Sequence, residues 1–135
     1  MIKFNMVNVN PKKKRTGDCA VRALVGTLDI DYETAIDKCA YYAKKLCYGI
    51  TDKQIMEAVL SEYGYVKMKQ PRRENGTKYM VRDMDQILTK KQMNEGVLVT
   101  IANHHTCIKN GKIQDIWDCG NKCVGNYYIK DKRTA

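Results

Sequence analysis

No stretch of this sequence approaches the roughly 18 consecutive apolar residues of a membrane-spanning helix, so no membrane partner is expected. The opening ten residues, MIKFNMVNVN, lack the apolar h-region of a secretory signal. Internal repeats and low-complexity tracts are missing, which excludes solenoids and arrays. Acidic residues are short: 15 Asp and Glu stand against 24 Lys and Arg, for a formal net charge of +9. Such a balance suits nucleic acid, an acidic partner or an anionic surface. Here the cations are scattered. The one dense run is Lys12, Lys13, Lys14 and Arg15, with a smaller pair at Arg72 and Arg73. No aromatic residues interleave with them as a stacking platform would require. The pattern reads as a solvated surface, and nucleic acid is not the expected partner. Histidine is also scarce, with only His104 and His105 in the chain.

What is present suits one domain spanning 1–135. Apolar residues make up 44% of the 135 positions, enough for a core without disulfide staples. The six cysteines, at 19, 39, 47, 107, 119 and 123, form no dense framework. Reduced thiols in a cytoplasmic protein are the expectation.

Residues 1 to 15 read as an extended lead-in with a turn at Asn10-Pro11. A first helix should begin around Thr16 to Asp18 and carry the stripe Ala20, Val21, Leu24, Val25 and Leu28. A second should start at Asp31 as N-cap and close by Gly49. Thr51 with Gln54 has the form of a capping box for a third, with Gly64 past its end. Tyr65 to Met68 reads as a short strand, residues 70 to 79 as a loop, and Arg82 to about Lys91 as a short helix. The last third changes period. GVLVTIA is a buried strand, HHTCIK and KIQDIWD flank the hairpin pair Asn110-Gly111, and CVGNYYI adds a last strand. Helices followed by an antiparallel sheet make an α+β arrangement.

Within TGDCAVRAL, Cys19 falls at a helix start. Open backbone N–H groups there favour a thiolate and can hold an oxyanion. Lys14, Arg15 and Arg22 add positive potential. A nucleophilic thiol needs a base, and the base needs an orienting partner. If Asn110-Gly111 is a two-residue turn, Lys109 faces Lys112. Counting back, His104, Thr106, Asp115 and Trp117 share one face, while His105, Ile116 and Asp118 share the other. Two acid–histidine pairs follow: His104 with Asp115, or His105 with Asp118.

A GDC-type cysteine opening a helix, then a late hairpin with histidine on one strand and an acid on the next, resembles the papain-like cysteine peptidases. Asp115-Ile116-Trp117 is similar to their Asn-Ser-Trp segment, with Asp for Asn and a tryptophan that shields the pair. GDCAVRAL and GVLVTIANHH…NGKIQDIWD are also similar to small bacterial and phage papain-like proteins of the bacteriocin-leader peptidase type. The resemblance covers the chain in outline and is specific at residues 16 to 24 and 97 to 118. It implies a papain-like fold and thiol-dependent hydrolysis or acyl transfer on a peptide or isopeptide-like amide. Cys19 would be nucleophile, His104 base and Asp115 orienter, with Trp117 as shield and His105 and Asp118 as alternates. A protein or peptide is the implied substrate, with no cofactor and no metal, in the cytoplasm, or the host cytoplasm if the chain is phage-encoded. One departure is clear. The family commonly places a glutamine several residues before the cysteine, and none precedes Cys19. Asn8, Asn10, a lysine or backbone amides would have to serve instead.

Each residue also has a plainer reading. Cys19 can be a small core residue, Asp18 a helix cap, and Trp117 core. Cys119 and Cys123, with His104, His105 and Cys107 nearby, would make an irregular zinc site. Cys39 falls on the apolar face of the second helix and reads as core. Two other functions stay open: a catalytically inactive papain-like binding protein, or a basic nucleic-acid-binding module. Nothing in the sequence fixes an oligomeric state.

Overall fold

Helix α1 runs from Cys19 to Leu28 because its apolar positions repeat on one face, burying Ala20, Val21, Ala23 and Leu24. It stops at Asp29, whose backbone turns left-handed at φ 56° and returns its N–H to Val25 O. Helix α2, Tyr32–Leu46, starts as expected at Asp31, whose carboxylate accepts the Thr34 N–H at 2.7 Å. It ends earlier than Gly49, at Cys47, which adopts φ 60°. Helix α3, Lys53–Glu62, follows Asp52, and the expected Thr51–Gln54 box does not form. Asp52 instead accepts the Gly49 N–H at 2.9 Å, so the acid closes the turn before the helix rather than the helix end. Ile55, Met56, Val59 and Leu60 form the buried face of α3.

The computed structural model describes residues 1–131. Six strands are defined: β1 Lys3–Met6, β2 Tyr65–Met68, β3 Val97–Ile101, β4 His104–Lys109, β5 Lys112–Asp115 and β6 Tyr127–Lys130. They form one sheet in the order β1-β5-β4-β3-β6-β2. The expectation of an antiparallel sheet needs one correction. Lys3–Met6, inside the supposed lead-in, pairs parallel with β5, so the sheet is mixed. The class is α+β.

The hairpin keeps the counted register. Asn110 and Gly111 both take positive φ, 54° and 73°, as a two-residue hairpin turn requires. Lys109 pairs with Lys112, Ile108 with Ile113 and Cys107 with Gln114. Strand β5 stops at Asp115 instead of running on through Trp117. The segment expected as one helix over 82–91 is two pieces. A 3-10 turn covers Val81–Gln86, and α4 covers Lys90–Glu95. Thr89 divides them, because its hydroxyl accepts the Gln92 N–H at 3.1 Å while Gln92 Oε1 accepts the Thr89 N–H at 2.8 Å.

Strand β3 is buried throughout, so its alternation feeds two cores. Leu98 joins α1, α2 and α3, with Leu24, Ile55 and Leu60. Val97, Val99 and Ile101 face the other way, with Ile108, Ile113, Met84 and Ile2. Each such fully buried side chain contributes about 1.5–3 kcal/mol. Helix α1 lies hard against β4 at Gly26, where an added Cβ would come within 2.4 Å of Cys107 Sγ. At this approach the helix that opens with Cys19 packs on the strand that opens with His104. Among the described residues no helix is long and apolar enough to cross a membrane.

Candidate active site

Cys19 is the first residue of α1 and is half-buried. Asp18 sits before it in the N-cap position but does not cap. Its carboxylate is taken by Arg22 Nε at 2.8 Å, Tyr32 Oη at 2.8 Å and Asn10 Nδ2 at 3.1 Å. The expected capping role is thus displaced by charge-assisted bonds to Arg22, one helical turn on, and to Tyr32 and Asn10 from outside the helix. No Asp18 side-chain oxygen occupies the first-turn amides, and the N–H groups of Cys19 and Ala20 have no partner within the helix.

His104 and Asp115 meet as the diagonal on one sheet face predicts. His104 Nε2 lies 2.6 Å from Asp115 Oδ2. That bond leaves Nδ1 as the ring nitrogen free to serve the thiol. Asp115 Oδ1 accepts from Arg22 Nη1 at 3.0 Å and from the Ile116 N–H at 2.7 Å. Burial works against charge on Asp115, but its bonds outweigh this and hold its carboxyl below the usual carboxylate range.

The Cys19 thiol and the His104 ring shift in opposite senses. Burial opposes ionisation of Cys19, yet hydrogen bonding to the His104 side chain and the His105 backbone, with the charges of His104 and Arg22, lowers its pKa overall. Burial likewise opposes charge on His104, but Asp115 and Cys19 push its pKa up to about 9. The arrangement therefore favours a thiolate–imidazolium pair.

His105 and Asp118 do not form the alternate pair. Neighbouring strand residues point to opposite faces, and His105 Nδ1 is buried with no hydrogen-bond partner. Burial, then the charges of His104 and Lys53, push its pKa down to about 4, so it stays neutral. Asp118 Oδ1 instead accepts the Gly120 N–H at 2.9 Å. Trp117 is not core: it is 37% exposed, with its ring against the His104 imidazole at a centroid distance of 4.9 Å.

An open groove runs past Cys19, His104 and His105, bordered by Gly17, Thr51, Lys53 and Asn103. Sequence reasoning did not single out Thr51, Lys53 or Asn103 for this role. Asn103 carried a signal, since it precedes the two histidines at a strand-to-strand turn, where it takes φ 57°. Lys53 carried none. Arg22, read only as a source of positive potential, is the buried link between Asp18 and Asp115.

The remaining cysteines sort by burial. Cys39 is buried in α2, as expected, and burial pushes its thiol up to about 11. Cys107 and Cys119 are buried, with thiols pushed up chiefly by burial to about 12 and about 11. Cys47 and Cys123 are exposed. The envisaged zinc set is not assembled. Among the described residues the potential ligand atoms that converge belong to His104, Asp115 and Cys119. A cation there would displace the His104–Asp115 bond and sit beside the Arg22 guanidinium, so this donor set fits a metal poorly.

No family model, curated protein or solved structure matches the chain. The functional reading therefore rests on the site's own geometry.

Proposed function

We propose that the protein is a papain-like thiol hydrolase or acyl transferase acting on a peptide or isopeptide-like amide. The observation that carries this reading is the His104 Nε2–Asp115 Oδ2 bond of 2.6 Å, with Cys19 and the same imidazole lining one groove. An acid, a base oriented by that acid and a thiol at an uncapped helix start are the parts that nucleophilic acyl transfer needs.

In this mechanism the Cys19 thiolate attacks the amide carbon, and the carbonyl π electrons move to oxygen. The oxyanion is met by the Cys19 N–H. Asn103 is the side-chain amide that borders the groove and is the candidate second donor. The intermediate collapses, the C–N bond breaks, and imidazolium His104 gives its proton to the leaving amine. Water or an acceptor amine then attacks the thioester, with neutral His104 taking its proton and Cys19 leaving as thiolate. Asp115 holds the ring tautomer throughout. Trp117 limits water at the pair.

A second reading is an inactive papain-like binding protein, and one observation favours it. The two asparagines offered in place of the missing glutamine are already engaged: Asn8 Nδ2 donates to Lys14 O, and Asn10 Nδ2 to Asp18. The test is iodoacetamide alkylation of each cysteine from about pH 4 to about pH 10, read by peptide mass spectrometry. An active site requires Cys19 to react well below the ~8.5 midpoint of a free thiol. An ordinary or inert Cys19 overturns the enzyme reading in favour of the binding one. If Cys19 is activated but no peptide amide or thioester is turned over, the site is thiol-competent and lacks its oxyanion donor.

A further inference from the structure

Four charged side chains stand in a row behind the nucleophile. Asp18, Arg22 and Asp115 are almost fully buried, with side-chain exposures of 8%, 7% and 2%. His104 follows at 10%. Buried charge is costly unless it is paired and bonded on every side. Here each link is made. Arg22 spends Nε on Asp18 and Nη1 on Asp115, and Asp115 spends its second oxygen on His104. Asp18 is itself held by Tyr32 Oη and Asn10 Nδ2, and Cys119 Sγ lies 3.9 Å from Asp115 Oδ2. With two carboxylates and one guanidinium, the row carries no net charge only when His104 is protonated.

The chain position of Arg22 adds to this. It lies three residues after Cys19 on α1, so one helix carries both the nucleophile and the cation that grips the partner of the base. Asp115 closes β5, and its Oδ1 is held by two donors, the Ile116 N–H at 2.7 Å and Arg22 Nη1 at 3.0 Å, of which Arg22 is the charged one. A planar guanidinium bonded at two edges fixes direction as well as charge, which a lysine ammonium does not.

We propose that Arg22 is a positioning residue: anchored by Asp18, it orients the Asp115 carboxylate so that Oδ2 meets His104 Nε2. It touches no substrate and acts through Asp115. This inference rests on the proposed thiol chemistry and extends it to the residue pair that flanks Cys19 in GDCAVRAL.

The experiment measures two quantities in the full chain: the pH profile of Cys19 alkylation and the ring titration of His104 by NMR. It uses wild type, Arg22→Lys and Asp18→Asn, with thermal melts confirming folding. Arg22→Lys keeps the charge but loses the fork. Its Cys19 should react about tenfold more slowly near pH 6, as a one-unit rise in midpoint implies, and its His104 midpoint should fall. Asp18→Asn, nearly isosteric, should shift both midpoints in the same directions by a smaller amount, with about threefold slower reaction. A folded Arg22→Lys protein with the wild-type profile overturns the proposal and leaves the thiol reading intact. If Arg22→Lys does not fold, Asp18→Asn decides, and an unchanged profile there overturns the proposal equally. An ordinary Cys19 midpoint in wild type is a different failure: it sinks the thiol reading itself.

Discussion

The Trp117 indole lies against the His104 imidazole, ring centroids 4.9 Å apart and planes tilted by 47°. The chain has one tryptophan, so its fluorescence reports on one place. A protonated imidazole in contact with indole quenches it, and a neutral one quenches far less. His104 carries its proton up to about pH 9, because Asp115 and Cys19 overcome the opposing effect of burial. Tryptophan emission should therefore rise as pH passes through about 9. In His104→Ala that step should vanish. A step that persists in His104→Ala would show that another group is responsible.

The two histidines differ in what faces them. His104 bonds Asp115, while His105 is held neutral by burial and by the charges of His104 and Lys53, its pKa pushed down to about 4. His104→Ala should return Cys19 toward an ordinary thiol and slow its alkylation near pH 6 by at least about tenfold. His105→Ala keeps the backbone amide that faces the sulfur, so the rate should stay within about threefold of wild type. Equal losses in the two variants would contradict the assignment of His104 as base.

Acid should unfasten the buried row from its carboxylate end. Burial opposes charge on Asp18 and on Asp115. Arg22 and Tyr32 on Asp18, and His104 on Asp115, reverse that and hold both folded pKa values below the ordinary 3.8. The stability they contribute is then fully present above about pH 4 and is lost as pH falls through the lowered folded values. Asp115→Asn should flatten part of that acid-side loss. At neutral pH the same change leaves Arg22 and His104 short of a counter-charge and should cost about 3 kcal/mol. Thermal melts of both proteins between about pH 2 and about pH 7 test the two statements together.

Much of this site was legible because its spacing depends on short-range rules. The stripe of α1 and the positive-φ pair Asn110-Gly111 set a register that could be counted by twos, and the count reached His104 and Asp115. What was not legible depended on distant partners. Strand β1 is four mostly exposed residues, KFNM, whose parallel partner lies more than a hundred positions away. Asp18 has the chemistry of a cap, and only the folded position of Arg22, Tyr32 and Asn10 shows that its carboxylate is spent elsewhere. Thr89 and Gln92 do carry a local signature. It was hidden inside a run of helix-forming residues that reads as one element when periodicity alone is followed. Lys53 reaches the groove because α3 packs there, which no pattern around it announces.

The spacing between Cys19 and His104 should depend on Gly26. A Cβ on Gly26 would sit 2.4 Å from Cys107 Sγ but 3.7 Å from Cys107 Cβ, so the clash is with the sulfur alone. Gly26→Ala should push α1 off β4 and cost about 1–3 kcal/mol. Because Cys19 and His104 ride on those two elements, its Cys19 alkylation profile should also move toward that of a free thiol. Cys107→Ala removes the sulfur and leaves a small cavity, costing about 1 kcal/mol. In the double variant the new methyl takes the space the sulfur left. Its loss of stability should be smaller than the two single losses together, and Cys19 should regain its low midpoint. Chemical unfolding and alkylation of the four proteins form one cycle. Strict additivity in stability, or a double variant with a repaired fold and an unrepaired Cys19, would mean that the α1–β4 contact does not set the distance between thiol and imidazole.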